Sequence, residues 1–244
     1  MNLFLDDFLI GFFINFFLIF IFRKLPIMTN KGWISAGILG TILWGCLGLK
    51  GWISVVLYLF FGSLVTKLGF EYKKNIGIEE KRGGRRGPEN VWGSAATGLF
   101  LAILIKLNLA NIVLLKIGFA ASFVAKLADT FGSEIGKRYG KNTYLITTFK
   151  KVKSGTEGAI SIEGTIASFL GSILMSLIML FLGFITTNNQ LLVICVSGFI
   201  ATIFESLIGA KFQDKLKLSN ELINSIQTSI SSLIAILFYK FIFY

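Results

Sequence analysis

Long apolar runs alternate with short polar segments along nearly the whole chain. The runs lie at residues 3–22, 33–49, 52–66, 91–107, 111–130, 164–185, 190–210 and 222–243, and most reach the length at which a helix crosses a hydrocarbon core of about 30 Å. In lipid each backbone N–H and C=O must be satisfied within the protein, so isolated runs of this kind predict α-helices. The expected fold is an all-α integral membrane protein, a polytopic bundle of about eight transmembrane helices forming one transmembrane domain over residues 1–244. The second and third runs are short and separated only by Lys50-Gly51. They admit either a tight helical hairpin or a partly re-entrant pair, so the count ranges from seven to nine. Small residues recur at about four-residue spacing in GWISAGILGTILWGCLG (32–48) and EGTIASFLGSILMSLIMLFLG (163–183). That spacing is a packing habit of membrane helices, and no repeat is inferred from it.

Composition strengthens this reading and removes several chemistries. Of 244 residues, 54% are hydrophobic and 25 are Phe, and the mean hydropathy is +0.75, values outside the usual soluble range. Cys46 and Cys195 sit in separate apolar runs, which supports neither a disulfide framework nor a zinc site. The chain has no histidine, so carboxylates, Lys, Arg, hydroxyls and backbone are left to carry any chemistry. The first run begins at Asp6 and Asp7 rather than a basic segment and is expected to be a retained span, not a signal peptide.

The charges then orient the bundle. With eight spans, alternate loops carry 19 of the 24 Lys and Arg residues, which places those loops on the cytoplasmic side and both termini on the other. The basic loops at 67–90 and 137–163 hold most of this charge. Topology accounts for the net charge of +11 without a nucleic-acid partner.

Candidate chemistry lies at the end of the fifth run, in ADTFGSEIGKRYGK (128–141) and KVKSGTEGAISIEG (151–164). At 100° per residue Asp129, Gly132, Gly136 and Gly140 share one side of a helix. One reading is structural: the glycines admit a neighbouring helix, and Asp129 pairs with Lys126. The functional reading takes an intramembrane Asp as a site residue that anchors Mg²⁺ while a nucleotide lies against the glycine face. Lys137, Arg138, Lys141, Lys150, Lys151 and Lys153 lead into Gly155-Thr156-Glu157-Gly158, a combination suited to a polyphosphate. In the other loop Arg85 and Arg86, flanked by glycine, offer planar forks for phosphate. No P-loop or protein-kinase signature occurs.

These texts resemble those of known families. D-T-F-x4-G-K-x-Y-G-K followed by K-x-G-T-E-G resembles the signature of integral-membrane CTP-using enzymes, namely phosphatidate cytidylyltransferases, dolichol kinases and phytol kinases. Ala128 stands where the cytidylyltransferases have Ser, and their S-P-K-K is missing. Taken with GRRGPENVWGS (83–94), A-D-T-x-x-S-E-I-G, G-T-E-G-A-I-S-x-E-G-T and E-S-x-x-G-A…N-E-x-x-N (205–224), the chain resembles the phytyl-phosphate kinases of tocopherol and phylloquinone synthesis and their uncharacterised membrane relatives.

That resemblance implies transfer of the γ-phosphate of a nucleoside triphosphate, CTP favoured, to an isoprenyl monophosphate such as phytyl phosphate. Asp129 is then a metal ligand with Glu157 or Glu163 as a second ligand. Lys137, Lys141, Lys150, Lys151 and Lys153, with Gly132, Gly136, Gly155 and Thr156, hold the nucleotide. Arg85 and Arg86 hold the acceptor phosphate near Asn90, and Glu205 either joins the site or pairs with a basic loop. The isoprenoid tail lies among Phe-rich and Gly-rich helices and enters from the bilayer. Competing readings are a polyprenol kinase or a lipid cytidylyltransferase with the same nucleotide site, and a lipid or ion transporter using Asp129 and Glu205 as coupling charges. Nothing in the sequence specifies an oligomeric state.

Overall fold

Helices form most of the computed structural model, which describes residues 3–243. Residues 1, 2 and 244 of the expected domain lie outside the described residues. In chain order the helices are α1 (Leu3–Phe22), α2 (Asn30–Lys67), α3 (Phe70–Asn75), α4 (Pro88–Lys106), α5 (Ile112–Tyr139), α6 (Ile162–Phe181), α7 (Asn188–Leu216) and α8 (Asn220–Phe243). A small antiparallel pair, β1 (Tyr144–Leu145) and β2 (Ala159–Ile160), precedes α6. Five helices, α1, α2, α6, α7 and α8, are long and apolar enough to cross a membrane by length and composition. α4 and α5 are not among them, and the apolar sequence of α5 is interrupted by Lys116, Lys126 and Asp129.

The two short apolar runs are the halves of α2. Thr29 caps its start by accepting from the Gly32 amide at 3.0 Å, and the Thr29 amide donates to the Arg86 carbonyl at 3.0 Å. Gly62, in the second half, lies against the Arg86 guanidinium. A straight helix would separate Gly32 from Gly62 by about 45 Å, so α2 doubles back. The reversal is at Gly48, whose φ of 65° and ψ of −159° are non-helical, rather than at Lys50-Gly51; a positive φ costs a glycine little. The first half runs antiparallel to α1, with Gly37, Gly40 and Gly45 facing Ile19, Asn15 and Phe8 in turn. The small residues of 32–48 therefore serve helix packing.

α5 is the centre of the bundle. From Ile117 to Ala128 its side chains are buried all round, and α2, α4, α6, α7 and α8 all pack on it. Small residues allow this close approach: Gly98 of α4 faces Phe123, and Gly198 of α7 faces Val124. Polar side chains of α8 bind α5 carbonyls, Ser231 to Ala121 at 2.9 Å, Ser232 to Gly118 at 2.8 Å and Gln227 to Ala125 at 3.2 Å. Such bonds satisfy hydroxyls and amides that lipid cannot. The outer surface is the reverse of a soluble protein's, with Phe13, Phe17, Phe181 and Phe241 all more than 60% exposed, as a bilayer-facing surface requires.

Both basic loops are structured. α3 and a 3-10 turn (Lys81–Gly84) occupy the first, and β1 with β2 the second. Lys73 of α3 is fully buried; its Nζ donates to Glu134 of α5 and to the Thr66 carbonyl at 2.8 Å. Arg138 lies over the Tyr72 ring, 4.4 Å from its centroid. A buried ammonium is tolerated only with such partners, so this clasp holds the first loop on the end of α5, beside the second.

Candidate functional site

α5 runs nine residues beyond the expected end of its apolar run, and this extension carries the polar residues into a cavity of about 460 Å³. α6 begins alongside, capped by Ser161, whose hydroxyl accepts from the Gly164 amide at 3.1 Å. The remaining walls come from the Gly155–Gly158 turn, the 202–206 segment of α7, Asn220 and Asn224 of α8, and Arg86 with Asn90 ahead of and within α4.

Gly155 and Gly158 have φ of 86° and 72°, a region that favours glycine. Both are also close-packed, Gly155 against Ile78 and Gly158 against Ala210 and the Ser206 carbonyl. The turn thereby brings Thr156 and Glu157 to the cavity wall, next to α7. Glu205 projects there from α7, near enough to Asp129, Lys126 and Glu157 for their charges to act on it. Lys126 Nζ pairs with Asp129 Oδ2 at 2.5 Å, and Lys137 Nζ lies 3.5 Å from Glu134 Oε1.

Arg86 enters from the opposite wall. Its amide donates to the Ile27 carbonyl at 2.9 Å while its own carbonyl receives Thr29, which fixes the backbone between the start of α2 and the start of α4. Its Nη1 donates to the Tyr58 hydroxyl at 2.9 Å, and that hydroxyl donates to Ser94 Oγ at 3.1 Å. The side chain is thus aimed inward.

Of the residues singled out from sequence, Arg86, Asn90, Asp129, Gly132, Gly136, Lys137, Gly155, Thr156, Glu157 and Glu205 line this cavity. The others do not. Arg85 is exposed and bonds the Arg82 carbonyl at 3.2 Å, because consecutive residues of extended chain point to opposite sides. Lys141, Lys150, Lys151 and Lys153 are exposed outside the cavity, and Lys151 is tied to Asn142 at 2.9 Å. The expected five-lysine cradle is therefore a rim with one inner member, Lys137. Glu163 caps the second loop by accepting from the Lys141 amide at 3.3 Å. Asn90 is itself a cap, accepting from the Gly87 amide and from Arg82, each at 2.9 Å.

The glycine face follows the structural one of its two readings. A Cβ on Gly132 would collide with Ser168 Oγ, and one on Gly136 would press on Ser161 and Gly164. α6 covers this face, so the glycines serve helix packing and only their edges reach the cavity. Glu134, Ser94 and Asn224 also line the cavity without having been assigned a role there, as does Lys126, which had been named as a partner of Asp129. Glu134 and Asn224 lie inside quoted stretches, SEIGK and NELIN, but pairing Glu134 with Lys73 needs a contact across 61 positions.

The lining holds three cations, Arg86, Lys126 and Lys137, and five carboxylates, Glu80, Asp129, Glu134, Glu157 and Glu205. Such a surface suits a phosphate only together with a cation. Among the described residues no three carboxylates or thiols form a metal cage. Mg²⁺ does not need one, since one or two carboxylates plus substrate phosphates commonly hold it, and the hard oxygen donors of Asp129, Glu157 and Glu205 fit that ion.

Comparison with known proteins agrees with a membrane assignment. Residues 13–232 match the model of the family described as "Integral membrane protein DUF92". The chain is 45% identical over 212 residues to the uncharacterized membrane protein sll0875 of Synechocystis, covering 86% of this chain and 82% of that one. It is 43% identical over 237 residues to Protein VTE6, chloroplastic, of Arabidopsis thaliana, covering 93% and 71%. It is 34% identical over 219 residues to the uncharacterized membrane protein MJ0933 of Methanocaldococcus jannaschii, covering 89% and 88%. No solved structure matches.

Proposed function

Because the chain belongs to the DUF92 family of integral membrane proteins, and its texts resemble those of phytyl-phosphate kinases, we propose that it is a Mg²⁺-dependent phosphotransferase. The γ-phosphate of a nucleoside triphosphate, CTP favoured, passes to an isoprenyl monophosphate such as phytyl phosphate. One observation carries this reading: Arg86 from the first basic loop meets Asp129, Lys137 and Glu157 of the second region in one cavity.

An oxygen of the acceptor phosphate forms the new bond to the γ-phosphorus, the bond from that phosphorus to the β–γ bridging oxygen breaks, and the nucleoside diphosphate leaves with the electron pair. A phosphate monoester is already anionic at neutral pH and needs no strong base. The barrier is the approach of two anions, which positioned cations lower. Arg86 holds the acceptor phosphate, its guanidinium kept in place by Tyr58. Lys137 and the amides of the Gly155–Gly158 turn hold the nucleotide phosphates. Lys126 orients the Asp129 carboxylate. Asp129 with Glu157 or Glu205 would hold Mg²⁺, which when bound screens the phosphate charge. We further place eight crossings in the membrane, with both basic loops on the cytoplasmic side and the termini opposite.

The test is turnover by detergent-purified protein given phytyl monophosphate, Mg²⁺ and, separately, CTP, UTP, GTP or ATP. Phytyl diphosphate is expected from wild type and reduced at least about 100-fold in Asp129→Asn. A CDP-lipid with pyrophosphate would make it a cytidylyltransferase. Phosphorylation of the free alcohol alone would make it a polyprenol kinase. No product in detergent, with uptake by sealed vesicles containing the protein, would favour transport.

A further inference from the structure

A second, apolar groove of about 580 Å³ meets the polar cavity at Arg86 and Asn90, residues that line both. Its walls are α1, the two halves of α2, and α4. It exists because α2 reverses at Gly48, which sets two helix halves side by side with small residues such as Ala36 between them.

Three features say what it takes. First, its volume lies within the range of about 300–1,000 Å³ typical of ligand sites, and apart from its two ends the lining is almost wholly apolar. Second, Trp33 Nε1 and Ser63 Oγ, on residues that line the groove, are buried without a hydrogen-bond partner. Each is the sequence neighbour of a glycine that touches Arg86, Gly32 against its carbonyl and Gly62 against its guanidinium, so the unpartnered polar residues of the groove stand on the two helical turns nearest its charged end. Third, one lip is open: Val56, Phe60 and Leu64, one helical turn apart, are 36%, 56% and 54% exposed on the surface that faces lipid. The opposite end is closed where Trp52 Nε1 donates to Asn15 Oδ1 at 3.0 Å.

We propose that this groove holds the acceptor's isoprenoid chain, with the phosphate ester at Arg86, Trp33 and Ser63 and the chain running toward Trp52. The chemical identity of the occupant rests on the phosphotransfer reading above; its place does not. From Gly62 to Trp52 the groove is about 15 Å deep. An isoprene unit of four main-chain bonds extends about 5 Å, at about 1.2 Å per bond. The enclosed part therefore takes about three units, and further units leave through the open lip into the bilayer. The groove measures the chain's first units and ignores the rest.

The experiment uses prenyl monophosphates of one to four isoprene units with the full-length protein and Mg-nucleotide. In wild type kcat/KM rises about tenfold for each of the second and third units and flattens at the fourth. Ala36→Phe, which fills the groove about one unit from Arg86, removes the rise beyond the first unit. In parallel, wild-type protein is photolabelled by a monophosphate bearing a diazirine on its third unit, with labelling expected at Trp52, Leu59 or Phe60. Labelling there without any phosphotransfer would leave the tail site standing and sink the kinase reading. Turnover with the label on α6 or α7, or an undiminished chain-length dependence in Ala36→Phe, would overturn the tail site.

Discussion

Arg85 and Arg86 are adjacent and chemically identical, and the structure gives them opposite surroundings. Arg86 is anchored by Ile27, Thr29 and Tyr58 and lines both cavities, whereas Arg85 bonds a neighbouring carbonyl in solvent. Arg86→Lys keeps the charge but loses the planar fork. Its expected effect is a drop in kcat/KM for the acceptor of about 10- to 100-fold, the range of a charge-assisted hydrogen bond. Arg85→Ala is expected within about twofold of wild type. Steady-state kinetics on the two variants checks the assignment, and equal losses would return both arginines to the site. Asp129 is visible in sequence as an acid within an apolar run; its ion pair with Lys126 was one of two readings open there. Glu157 and Glu205 were named there only as alternatives beside Glu163, because they arrive from separate elements whose packing decides which carboxylates share the cavity.

At the scale of elements, the glycine ladder of α5 works as a packing surface. Gly132→Ala is expected to lower thermal stability through overpacking against Ser168, at a cost of about 1–3 kcal/mol. Adding Ser168→Ala removes the obstructing hydroxyl, and the double variant is expected to recover most of the loss, as contacting residues couple in a double-mutant cycle. Melting of the detergent-purified variants measures it; strictly additive losses would mean that the face does something other than seat α6. Helical periodicity put Asp129 and the glycines on one side of α5. It could not say whether a ligand or a helix covers that side, since both demand small residues. The extension of α5 past its apolar run was legible in that glycine spacing and not in hydropathy, which ends at the membrane surface while backbone hydrogen bonding continues.

Over the whole molecule the charges divide into an inner set and a rim. Lys141, Lys150, Lys151 and Lys153 are exposed outside the cavity, and under the proposed function their expected role is to raise the local concentration of an anionic nucleotide without touching it. Replacing all four by Ala is expected to raise KM for the nucleotide about three- to tenfold at low ionic strength and to leave kcat nearly unchanged. Added salt should shrink the difference, because such steering is screened within about 8–10 Å at 0.1–0.15 M; a fall in kcat at all salt concentrations would put these lysines inside the site. By itself the sequence determined what depends on local composition: a helical membrane protein, basic loops gathered on alternate connections, and an acid with glycines at the end of one run. Hydropathy and helical period act over a few turns, so they are written in adjacent residues. The tertiary structure alone decided which loop charges look inward, that the first loop docks on α5 through Lys73 and Glu134, and that the two halves of α2 enclose an apolar groove ending at Arg86. Each of those depends on contacts between residues tens of positions apart, where packing and the cost of an unpaired buried charge select the partner.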